Sequence, residues 1–327
     1  MRRRDALAGI GAAAATWPAM VHAEGTTRRI GVLMSYREGD DEGRSRLTAF
    51  RDSLRDAGWV ESRNLSLDVR WLAGDSERAA REARALVAQA PDVVLVNGTP
   101  GLAALLTLTR TIPIVFVVVT NPVGAGFVES LARPGGNITG FSSFEPEIGG
   151  KWLESLKAMT PQLTRVGVLH DPEAAGFLTL LRGTEAAAGR FALHVQLIYA
   201  RNAAEIQTGI EGFASGGGGA LVVLPNPINS VERRSIFALA ERHLLPAIYP
   251  FAFHARDGGL AAYGFDALEL FRRAGPYVAR ILAGEKPGNL PVQAPTKYGL
   301  VLNLNAARAI KLEIPPTFLA RADEVIE

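Results

Sequence analysis

A chain of 327 residues, 48 % hydrophobic and 21 % charged, has the length for about two domains and the composition for buried cores. It contains no cysteine, which excludes disulfide scaffolds, zinc ribbons, iron–sulfur clusters and thiol catalysis together. A formal charge of +2 points to an anionic partner only if the positive excess belongs to the folded part.

It does not. Met1-Arg2-Arg3-Arg4-Asp5 is basic, Ala8 to Thr16 is weakly apolar, and Val21-His22-Ala23 carries the small residues that a signal peptidase reads. Residues 1–23 are therefore expected to be a cleavable export signal. Arg3-Arg4-Asp5-Ala6-Leu7 is similar to a twin-arginine signal with Ala6 in place of the usual aromatic, so both the Sec and the twin-arginine routes stay open. The apolar run is too short to span a bilayer, and without cysteine a lipid anchor has no attachment point. Loss of residues 1–23 takes Lys+Arg from 35 to 32 and Asp+Glu from 33 to 32, a formal charge of zero. No basic footprint for nucleic acid remains.

The next segments alternate. Residues 30–35 form an apolar run, the signature of a strand buried on both faces. Leu47, Phe50, Leu54 and Ala57 recur at helical spacing before Gly58. A strand is expected over Leu65 to Trp71, then a helix that starts at Asp75-Ser76-Glu77 and ends before Pro91. Val93 to Val96 reads as a strand, followed by a helix through Leu108 and a strand over Ile114 to Val119. Near 135–144 the first sheet is expected to end and the chain to cross over.

After about residue 164 the same order returns. Strands are expected at Val166 to Leu169, Leu193 to Tyr199, Leu221 to Leu224 and Ala247 to Tyr249. Helices are expected over Glu173 to Ala188, Ala203 to Phe213 and Ser230 to His243. Leu260 to Tyr263, a helix near 266–283 and Lys297 to Leu302 complete a less regular tail. Alternating strands and helices imply an α/β chain of two doubly wound parallel-sheet lobes, here joined by a hinge. The expected division places 28–140 with about 258–290 in lobe 1, and 141–257 with about 291–327 in lobe 2.

Ligands of open parallel sheets sit beyond the carboxyl ends of the strands, where helix N-termini offer unpaired N–H groups. In lobe 1 those ends carry Ser35, Tyr36, Gly98, Thr99, Thr120, Asn121 and Ser142; in lobe 2 they carry Asp171, Asn226 and Tyr249, with Tyr263 nearby. This set is rich in hydroxyls, amides and aromatics and poor in charge, which suits a small ligand with an apolar body and a few polar handles. Thr99 and Asp171 also suit helix N-caps, and the tyrosines also suit lobe packing.

Enzyme signatures are missing. No H-E-x-x-H, G-x-S-x-G or G-x-x-x-x-G-K-[ST] occurs, and Gly124-Ala125-Gly126 does not extend to G-x-G-x-x-G. Gly216 to Gly219 precedes a strand, the wrong end of a sheet for cradling phosphate. Five histidines without ligand spacing give no metal site, and no cofactor is expected.

Several long stretches resemble one family. They include Arg29-Ile30-Gly31-Val32-Leu33, Gly58-Trp59-Val60-Glu61-Ser62-Arg63-Asn64-Leu65, Ile112-Pro113-Ile114-Val115-Phe116, Asn121-Pro122-Val123-Gly124 and Leu131 to Ser142. Leu244-Leu245-Pro246-Ala247-Ile248-Tyr249, Pro291 to Lys297, Ile314-Pro315-Pro316 and Ala320 to Glu327 extend the likeness over nearly the whole chain. The chain resembles the periplasmic substrate-binding proteins of ABC transporters, in the family that includes tryptophan- and tyrosine-binding members. The resemblance implies a type I periplasmic-binding-protein fold with a three-stranded hinge and a monomer in the periplasm. It also implies ligand capture between the lobes and presentation to permease subunits at the inner membrane. Asn121 stands where many relatives have Asp, and His170-Asp171-Pro172 where Asn-Pro is common. The ligand expected is a small molecule such as an aromatic or other amino acid or a related organic acid. A ligand-sensing module for a receptor, or an enzyme on the same scaffold, are the alternatives.

Overall fold

A computed structural model describes residues 27–172 and 177–327; the export signal expected over 1–23 lies outside them. Five strands make the first sheet: β1 (Arg28–Met34), β2 (Leu65–Trp71), β3 (Val93–Asn97), β4 (Ile114–Val119) and β5 (Ile138–Ser142), in the order β2-β1-β3-β4-β5 and all parallel. The second sheet has seven: β6 (Arg165–His170), β7 (His194–Tyr199), β8 (Ala220–Val223), β9 (Ala247–Tyr249), β10 (Ala261–Phe265), β11 (Tyr298–Asn303) and β12 (Glu324–Ile326). Its order is β12-β11-β10-β9-β8-β6-β7, and only the β10–β11 pair runs antiparallel.

The helices intervene in chain order: α1 (Asp41–Asp56), α2 (Ser76–Val87), α3 (Thr99–Leu108), α4 (Ile148–Met159), α5 (Leu178–Ala188) and α6 (Ala203–Ala214). They continue with α7 (Pro227–Val231), α8 (Arg233–Arg242), α9 (Ala252–Arg256), α10 (Ala267–Leu282), α11 (Leu304–Ala309) and α12 (Pro316–Leu319). Local chemistry sets α1. Asp40 caps it by accepting from the Gly43 amide at 3.1 Å, Asp41 and Glu42 complement the positive end, and Arg55 sits in the last turn. The expected helix over 230–243 starts earlier and breaks at Glu232, giving α7 and α8. Strand β5 and helix α4 extend the pattern through the stretch where the sequence suggested only a crossing.

The chain crosses between sheets three times: from β5 to α4, from β10 to α10, and from Leu290 to β11. Residues 261–265, expected with lobe 1, form β10 in the second sheet, and the chain returns to lobe 1 only at α10, which packs on α1. The first and third crossings run side by side. Ser142 N–H donates to Gln293 O at 2.8 Å, and Gln293 N–H donates to Gly140 O at 3.0 Å. Beneath them Phe144 packs on Phe265, Phe251 and Trp152 at ring-centre distances of 4.7, 5.4 and 5.5 Å. One apolar core therefore runs from the first sheet through the hinge into the second.

Candidate functional site

The carboxyl ends of both sheets face one another across a cavity of about 20 Å³. Lobe 1 contributes Ser35 and Tyr36 after β1, Asn97 at the end of β3 and Gly98 after it, Val118 of β4, and Arg46 of α1. Lobe 2 contributes Phe177, Pro225, Pro227, Ser230 and Phe251. A volume of 20 Å³ holds little more than one water, so an organic ligand enters only when the lobes part.

The lobe 1 wall is fixed by backbone pairing. Ser35 Oγ donates to Asn97 O at 2.6 Å, and Asn97 Oδ1 accepts from the Ser35 amide at 3.4 Å. Gly98 has φ +87°, and a Cβ there would lie 2.7 Å from Ser35 Oγ, so only glycine lets the two strand ends meet. Val118 adopts φ +59° at an irregularity in the β4–β5 register, an unusual conformation for a β-branched residue.

Arg46 is the residue that the sequence reading passed over. It is 1 % exposed, its Nε donates to Glu42 Oε1 at 2.7 Å, and its Nη2 is buried with no partner among the described residues. Its guanidinium lies 5.0 Å from the Tyr36 ring centre, 5.1 Å from that of Phe251, 5.7 Å from Phe253 and 5.9 Å from Phe271. The signal that could have found it is its place one helical turn before Phe50, on the face that Leu47, Phe50 and Leu54 bury. Burial pushes the Tyr36 phenol above its ordinary range, so this ring is a neutral wall.

Other expected residues serve beside the cavity. Asn226 is fully buried between Pro225 and Pro227, with neither side-chain atom partnered among the described residues. Thr99 is buried next to Gly98 with its hydroxyl likewise unpartnered. Thr120 Oγ1 and Ser143 Oγ share a hydrogen bond at 2.8 Å, while Ser142 Oγ donates to Gln293 O at 3.4 Å in the hinge. Asn121 Nδ2 donates to Thr179 Oγ1 of the opposite lobe at 2.9 Å. Asp171 is half-buried at the end of β6. Tyr249 is turned into lobe 2, where it stacks on His254 at 5.4 Å, and Tyr263 stacks on Tyr298 at 6.2 Å. Neither tyrosine lines the cavity.

Contacts across the cleft hold the lobes together. Arg233 of α8 donates through Nε to Asp257 Oδ2 and through Nη1 to Asp40 Oδ2, each at 2.7 Å. Arg37 pairs with Glu232 and donates to Val231 O at 3.3 Å.

A two-sheet chain with opposed strand ends, three crossings and a hinge core is built to enclose a solute. The family model for "ABC transporter substrate binding protein" matches residues 40–326. The chain belongs to the ABC transporter substrate-binding proteins. It takes the solute-binding role of an importer. A tyrosine-binding protein of Clostridioides difficile (strain R20291) is 25 % identical over 267 residues, 81 % of this chain and 76 % of that one. A conserved domain protein of Vibrio cholerae superposes with a TM-score of 0.85 at 29 % identity, covering 92 % of this chain and all of the other. The ABC domain from Streptococcus pneumonia in complex with L-Trp gives 0.84 at 25 % identity with the same coverage. Among the described residues no helix of this substrate-binding protein is long and apolar enough to cross a membrane.

Proposed function

We propose that the chain is exported to the periplasm and there captures an aromatic or other amino acid, or a related organic acid, by closure of its two lobes. It then presents the closed complex to permease subunits at the inner membrane, as a monomer without a lipid anchor. The observation that carries this reading is the cavity at the meeting of both sheets' carboxyl ends, walled by aromatic rings and holding one buried arginine. The two relatives named for tyrosine and for L-Trp support the ligand class. The basic start, short apolar run and A-x-A-like end of residues 1–23, the pattern of an export signal, support the location.

Binding must be stronger in the closed state than in the open one, or ligand would not shift the population. Ser35, Gly98, Thr99 and Asn226 surround the polar end of the ligand; Tyr36, Phe251 and Phe177 face its body. Native mass spectrometry of the purified protein tests this. An aromatic amino acid or organic acid recovered unchanged is the expected result. A sugar or a metal in its place, or a ligand converted on incubation, would overturn it.

A further inference from the structure

A second cavity, of about 370 Å³, opens at the hinge. Its size falls within the roughly 300–1,000 Å³ of small-molecule sites. Two of the three crossings line it: Phe265 to Leu268, where β10 leads to α10, and Lys297 to Gly299 at the start of β11. Among the described residues, Phe251 alone is shared with the solute cavity.

The floor is aromatic. Phe251, Phe253 and Phe265 are buried, and Tyr298 packs edge to face on Phe265 at 6.1 Å. Burial pushes the Tyr298 phenol up to about 12, so this ring stays neutral. Gly264 and Gly299 stand opposite each other in the β10–β11 register and have no side chain with which to fill the space.

The rim is charged, and acids are in excess. Four carboxylates line the cavity, Glu42, Asp266, Asp323 and Glu324, against two cations, Arg256 and Lys297. Arg256 is held by Glu324 in a two-armed pair, Nε to Oε1 at 2.9 Å and Nη2 to Oε2 at 2.5 Å. Those bonds raise its proton affinity against the effect of burial, and the charges of Asp266 and Glu42 add to the rise. Three acids therefore bear on one guanidinium. Glu42 also accepts from Arg46 at 2.7 Å. Asp266 and Asp323 each give one oxygen to a backbone amide, that of Leu268 at 2.9 Å and that of Leu300 at 2.8 Å. These bonds fix the two carboxylates without cancelling their charge, and Arg272 comes no nearer to Asp266 than 3.8 Å. A cation over aromatic faces and beside carboxylates is attracted by both.

We propose that the hinge cavity binds an organic ammonium with an aromatic or apolar body, at a site separate from the solute cavity. The body fills the space over the rings, and Asp266 and Asp323 meet the ammonium at the rim. The site goes beyond the solute-binding reading and does not depend on which solute the chain captures.

Calorimetric titration of the mature chain tests this with phenethylamine, phenethyl alcohol and 3-phenylpropionate, which share a body and differ in charge. The amine is expected to bind at least tenfold tighter than the alcohol, and the propionate more weakly than either. Asp266→Asn combined with Asp323→Asn keeps both backbone bonds and should bring the amine to the affinity of the alcohol. Gly299→Leu should abolish binding of amine and alcohol alike, because the new side chain takes up the space. A Cβ at 299 meets Asp323 Oδ2 at 3.4 Å, an ordinary contact. Where a thermal melt shows Gly299→Leu unfolded, Ala252→Phe blocks the cavity from the α9 side.

No binding of the amine would overturn the proposal, and so would equal affinity for the alcohol or a preference for the propionate. Amine binding unchanged in a folded blocking variant would put the amine at another site and overturn it too. None of these outcomes touches the solute recovered by native mass spectrometry, so failure here leaves the solute-binding reading standing.

Discussion

Arg233 reaches across the cleft to Asp40, its Nη1 donating to Oδ2 at 2.7 Å, while its Nε is held by Asp257 in its own lobe. The guanidinium is 6 % exposed, so screening by salt is weak and removal of one partner leaves a buried charge. Both bonds raise the proton affinity of Arg233 against the opposing effect of burial. Because only one of its acids lies on the other lobe, the ion pair with Asp40 exists only when the lobes are shut.

Asp40→Asn should therefore weaken ligand binding at least tenfold, about 1.4 kcal/mol, although residue 40 does not line the cavity. Asn keeps the N-cap to Gly43, so α1 stays formed. Calorimetry gives the affinity, and small-angle scattering of the ligand-free variant should show a larger radius of gyration than that of the parent. Equal affinity and equal radius would mean that the ion pair does not bias closure.

Gly74 meets lobe 2 backbone to backbone. A Cβ there would stand 3.0 Å from Ile228 Cα, and φ is +73°. Gly74→Ala should act as a wedge, lowering both stability and affinity. Gly58→Ala is its control, since φ is +88° with nothing within 4 Å. Both variants should lose about 1–2 kcal/mol to left-handed strain, and only Gly74→Ala should lose affinity. Denaturant titration with calorimetry on both separates strain from closure.

His254 predicts a pH dependence. Burial, opposed by its hydrogen bond to Phe251 O, drops its pKa to about 3, so the ring is neutral in the stack of Tyr249, Phe251 and Phe253. An unfolded chain takes up a proton near pH 6.5, where the folded one does not. Stability is thus full above about pH 6.5 and falls toward pH 3, by up to about 1.4 kcal/mol per pH unit from this group. His254→Phe keeps the stack and should flatten that slope in denaturant titrations at pH 7 and pH 5. The same slope in the variant would place the effect elsewhere.

Much of this was legible in the chain. Apolar runs ending in polar residues located β1, β3, β4, β6 and β8, because strands buried on both faces leave no other pattern. Ser35, Tyr36 and Gly98 were found as strand-end residues for the same reason, and they line the cavity. Strand β5 was obscured by Gly140 within Ile-Thr-Gly-Phe-Ser, a residue that weakens the strand signal. Arg46 was hidden by its charge: periodicity counts apolar residues, whereas a helix face can bury a guanidinium once a carboxylate and four rings surround it. Tyr249 ends strand β9, yet its ring turns to the helix layer, since strand side chains alternate faces and the end of a strand does not fix which one is seen.

Val118 carries a backbone cost at the same cavity. Its φ of +59° is costly for a β-branched residue, and it occurs where β4 meets the cavity, as strain at binding sites often does. Thr is the closer match to Val in shape but keeps the branch, whereas Asn tolerates the left-handed region. Val118→Asn is therefore expected to melt at a higher temperature than Val118→Thr, by a few degrees for a difference of about 1 kcal/mol. Both variants carry a polar group at one position, so the difference between them isolates the backbone. The opposite order of melting temperatures would show that the turn at Val118 is held without strain.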